Sequence, residues 1–118
     1  MPPSTLLQQS LTTLRATRKD IASAAFRLNL GKKPIEDQRN AALHAHDVEN
    51  AILALQSADL ANIRDKLVAN EAELIAGIND LNRARANLAK VEAVIGAAGR
   101  FLDVLSKVVT FAATRGLG

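Results

Sequence analysis

His44 and His46 come nearest in this sequence to a metal-binding pair. Two side chains on a helix share an ion when they stand three or four residues apart. These stand two apart and point about 200° away from each other. His46 and Glu49 share a face, as do His44 and Asp47. A helical di-iron site needs Glu-x-x-His on two helices and two further glutamates. Here the order is reversed and the chain has no third histidine. Exposed histidines on a helix surface are the expected state, with no metal and no cofactor.

The remaining chemistry is equally sparse. Cysteine is absent, which removes disulfides, thiolate zinc sites and a cysteine nucleophile. No Ser, His and acid set presents itself as a triad. Gly96-Ala97-Ala98-Gly99 lacks the preceding strand and the spacing of a phosphate-binding loop. The chain is therefore expected not to be an enzyme and to take no small-molecule substrate.

The densest basic set is Arg15, Arg18, Lys19, Arg27, Lys32 and Lys33, and a smaller one is Arg83 and Arg85. Arg15, Arg18 and Lys19 share a helix face. The formal charge is only +3 and the aromatic residues are three Phe, with no Trp or Tyr to stack on bases. Residues 1–58 carry seven Lys/Arg against five Asp/Glu, and residues 59–118 carry eight against seven. Such mild, evenly spread basicity reads as a solvated face rather than a nucleic-acid footprint.

The elements that would position these groups are helices. Apolar residues make up 48% of the chain, mostly Ala, Leu, Val and Ile, and alanine and leucine are strong helix formers. Read in sevens, Leu60, Leu67, Leu74, Leu81, Leu88, Ile95, Leu102 and Val109 form one unbroken row. Three residues after each comes Ile63, Asn70, Gly77, Ala84, Val91, Ala98, Leu105 and Ala112. Alternating steps of three and four are the pattern of a helix with an apolar seam to bury.

In chain order, Pro2 and Pro3 precede Ser4 and Thr5, either of which can cap a helix start. The row Leu7, Leu11, Leu14, Ile21, Ala25 and Leu28 predicts a first helix over about 4–29. It ends at Gly31, where a left-handed cap is expected. Pro34, Glu36 and Asp37 suit the start of a second helix over 34–57. Its row is Ala41, Ala45, Val48, Ile52 and Leu55. The Leu60 row is offset from it by one residue. A turn at Gln56–Asp59 explains the offset, and a register shift within one very long helix is the alternative.

A third helix then spans 59–95, and a fourth 97–113 either continues it through a kink near Gly96 or folds back there. Gly77 in the second row permits close helix approach, and Asn70 sits in the seam as a register-setting residue. Flanking charges, Asp59, Lys66, Glu73 and Asp80 on one side and Arg64, Glu71, Arg85 and Glu92 on the other, could orient neighbouring helices.

The expected fold is all-α, a three- or four-helix antiparallel bundle or hairpin in a single domain with one long heptad-patterned helix. The first two helices reach about 35–40 Å each, too short to cover a helix of about 55 residues. The excess seam, with Val94, Phe101, Leu102, Leu105, Val108 and Val109, must fold back, meet a second copy or bind another protein. A non-enzymatic interaction or assembly module follows: an adaptor, chaperone or immunity-type accessory protein, self-associating or binding a partner through that seam.

The alternative is a membrane-active or secreted protein that lays the amphipathic segment 91–113 on lipid. Balanced charges and the absence of Trp count against it. No run of about 20 apolar residues occurs, and Met1-Pro2-Pro3-Ser4 does not resemble a signal peptide. A cytoplasmic location is expected, with secretion lacking a cleaved signal left open.

Overall fold

The computed structural model describes residues 1–111. Those residues are all-helical and compact, with principal extents of 44 × 29 × 19 Å and no strand. Six helices follow one another: α1 Pro3–Ile21, α2 Ala24–Leu30, α3 Ile35–Ser57, α4 Leu60–Ala69, α5 Glu71–Arg85 and α6 Val91–Leu105.

The first expected helix is two. α1 starts with Pro3 in its first turn and uses no side-chain cap from Ser4 or Thr5. It stops at Ile21 because Ser23 is a better helix start than continuation. Ser23 is extended, its Oγ donates to the Asp20 carbonyl at 2.6 Å, and it accepts from the Phe26 amide at 3.2 Å. The break re-aims the chain. Leu7, Leu11 and Leu14 are buried on the expected row, but Ala25 and Leu28 are exposed and Phe26 turns inward instead. Gly31 caps α2 with φ −61° and ψ −18°, a right-handed residue rather than the expected left-handed one.

The chain does turn after α3. Ala58 is extended, and the Asp59 carboxylate caps α4 by accepting from the Ala61 amide at 3.0 Å. Beyond this point the long helix gives way to three. Asn70 interrupts it first, with φ −111° and ψ 16° and its Nδ2 donating back to the Lys66 carbonyl at 2.8 Å. The decisive reversal lies at Ala86–Lys90, upstream of the glycines. Gly96 and Gly99 are interior residues of α6, which runs through both without a break. α6 ends at Leu105, so the expected 97–113 helix stops early. Residues 106–109 form turns, and 112–113 lie outside the described residues.

Burial explains the reversal. A straight helix would carry the apolar face of residues 91–105 beyond the reach of α1 and α3. Turned at 86–90, α6 packs along α5 and also meets α3. Gly77 admits a close approach. A Cβ there would stand 2.7 Å from Phe101 Cδ1, so only glycine lets that ring lie on the α5 backbone. One core joins α1, α3, α4, α5 and α6. A smaller one gathers Phe26, Val91 and Val94 beneath α2.

Candidate interaction surface

The residues expected to form an assembly surface lie inside the chain's own fold. Phe101, Leu102 and Leu105 are fully buried in the main core, with Val108 and Val109 beside them. Val94 is equally buried, in the smaller cluster with Phe26. Across the breaks, Leu67, Leu74, Leu81, Leu102 and Val109 of the heptad row still face the core. Asn70 is half-buried at the α4–α5 junction, where it serves the local backbone.

The charges flanking the row tie elements together. Arg85 Nε donates to Asp20 at 2.5 Å and joins the end of α5 to the end of α1. Glu73 pairs with Lys107 at 3.0 Å, and Glu92 with Lys33 at 3.0 Å. These bridges run between elements of one chain, where opposite charges favour one helix arrangement over others.

The histidines stay apart. His46 is exposed, and His44 Nδ1 lies 2.7 Å from the Asn40 carbonyl. Among the described residues no group of three or more His, Asp or Glu side chains is placed to hold a metal. No helix among them is long and apolar enough to cross a membrane.

The surface feature that remains is an open cleft of about 500 Å³ between α1–α2 and the first half of α3. Its apolar lining comes from Ile21, Ala22, Leu30, Ala41, Ala42 and Ala45, and its polar lining from Arg18, Arg27, Gln38 and Glu49. Local sequence builds it. The Ser23 break swings α2 away from the axis of α1, and alanines on α3 leave room where larger side chains would close the gap. Arg18 Nη1 donates to both Glu49 oxygens, at 3.2 and 3.1 Å. Arg27 is exposed at the cleft, and Gln38 is held by the Lys33 carbonyl at 3.0 Å. Leu28 and Ile35, on the two helices that border the cleft, are 68% and 66% exposed.

Sequence reasoning placed Arg18 and Arg27 in a basic set but missed the cleft between them. The available signals were Ser23 as an internal cap and the unusual density of alanine at 41, 42 and 45. No protein-family model, curated protein or solved structure matches the chain.

Proposed function

We propose that this protein is a non-enzymatic interaction module that holds a segment of another protein in the cleft between α1–α2 and α3. The observation that carries the reading is the cleft itself, an open trough whose apolar lining comes from Ile21, Ala22, Leu30, Ala41, Ala42 and Ala45. Grooves of this kind take amphipathic helices or extended segments, whose apolar anchors fill the trough while polar groups fix direction. A partner carrying a carboxylate beside its apolar anchors suits Arg27, because complementary charge sets register and speeds encounter. Adaptor, chaperone and immunity-type roles all belong to this class.

This reading moves the binding surface away from residues 94–109. Their side chains stabilise the fold, and a partner reaching them would have to displace the core. The membrane reading loses support for the same reason, since α6 turns its apolar face inward.

The test is co-purification from extracts of the source cells with the intact chain and with Ala42→Glu. Ala42 is exposed and lines the cleft, so the variant keeps its fold while placing a carboxylate in the trough. A protein retained by the intact chain and lost by Ala42→Glu, with circular dichroism unchanged, supports the reading. Equal retention by both contradicts it.

A further inference from the structure

The heptad pattern does not stop where the helix stops. Leu81, Leu88 and Ile95 cross Ala86–Lys90 in phase, and so do Ala84, Val91 and Ala98. The connection itself reads as helix. It is Ala86-Asn87-Leu88-Ala89-Lys90, with neither Gly nor Pro, and none of the described residues has positive φ. Ala86 already holds helical angles of −65° and −19°. α5 nevertheless ends at Arg85, and Lys90, with φ −88° and ψ 70°, precedes α6 without a side-chain cap. A side-chain contact that favours the turn comes from Asn87 Oδ1, which accepts from the Ala89 amide at 3.1 Å.

We infer that Ala86–Lys90 is a hinge with a second, helical state, in which two copies of this chain exchange residues 91–109. Straightening joins α5 and α6 into one helix over 71–105, about 50 Å long. The face of α6 then leaves its own core and enters that of a second copy. The occupant is set by fit. The hollow at Gly77 is shaped for Phe101, and the cluster under α2 for Val91 and Val94. The bridges Lys107–Glu73 and Lys33–Glu92 re-form between copies. An exchanged dimer therefore repeats the monomer's contacts and differs from it in the hinge and in whatever new surface the straight helices share. Leu88 and Ile95, half-buried in the monomer, then stand in one seam with Leu81. This device is independent of the cleft, which lies on the part of each copy that does not move.

The experiment is light scattering after refolding across a concentration series, on the intact chain, on Asn87→Ala and on a variant with Gly-Gly inserted between Asn87 and Leu88. Asn87→Ala removes the turn acceptor and supplies a better helix former. It should raise the dimerisation constant about tenfold, roughly threefold for each of two hinges. The insertion breaks the phase, relaxes the turn and should leave a monomer. The isolated Asn87→Ala dimer should persist for hours on dilution, because release requires α6 to leave the core. Monomer alone in Asn87→Ala, equal dimer in the insertion variant, or a dimer that dissociates within the mixing time would each overturn the inference.

Discussion

α3 is two surfaces on one helix. Over its second half Val48, Ala51, Ile52 and Leu55 are buried against α1 and α6. Over its first half Ile35 and Ala42 are exposed, Ala45 is half-covered, and the neighbouring helices stand off across the cleft. The closed half is filled because α6 folds back onto it. The open half stays open because α2 is short and turned by Ser23. The chain thus uses its heptad residues for stability and leaves a different, alanine-lined surface open. Substitutions on the two sides should differ in kind: in the closed region they cost stability, and at the cleft they leave stability alone.

The largest effect is expected at Phe101, which is fully buried on the closed side. Phe101→Ala should cost about 3–5 kcal/mol, read as a lowered urea midpoint, because the ring's cavity cannot collapse onto a glycine. Next comes Gly77→Ala, whose new methyl meets that ring. A loss of about 1–3 kcal/mol in denaturant unfolding is expected from overpacking. A gain would mean that the Phe101 ring does not lie against the α5 backbone at Gly77.

Gly96→Ala sharpens the contrast because it lies in the same helix pair with the opposite sign. Its Cβ meets the flexible end of Arg100 at 3.4 Å, so mid-helix alanine should stabilise by about 0.5–1 kcal/mol, seen as a higher melting temperature. The smallest effect belongs to the open side. Ile35→Ser should change stability by no more than about 0.5 kcal/mol, since that side chain is mostly in water. A larger loss would show that the corner is packed after all.

Much of this arrangement is legible in the residues, and what was not legible has physical causes. The turn before α4 follows from Asp59 as a cap and from the offset of two apolar rows. The need for glycine at 77 follows from its place in the seam. The reversal at 86–90 was hard to read because Asn87 alone disfavours helix there, and only weakly, so the break comes mainly from tertiary burial of α6. Gly96 and Gly99 misled for the complementary reason. Glycine weakens a helix without ending it when packing holds the turn. The candidate surface was harder still, because a cleft is made of what is missing. Ala41, Ala42 and Ala45 read as an ordinary helical face until α2 is seen standing away from them.

The measurement that tests the account most directly is amide hydrogen exchange followed by mass spectrometry, comparing Val91–Leu105 with residues 35–45. The account predicts that α6 exchanges among the slowest segments, near the limit set by global unfolding, while the first half of α3 opens more readily. Fast exchange throughout α6, with strong protection over residues 35–45, would contradict it and return the seam to the surface.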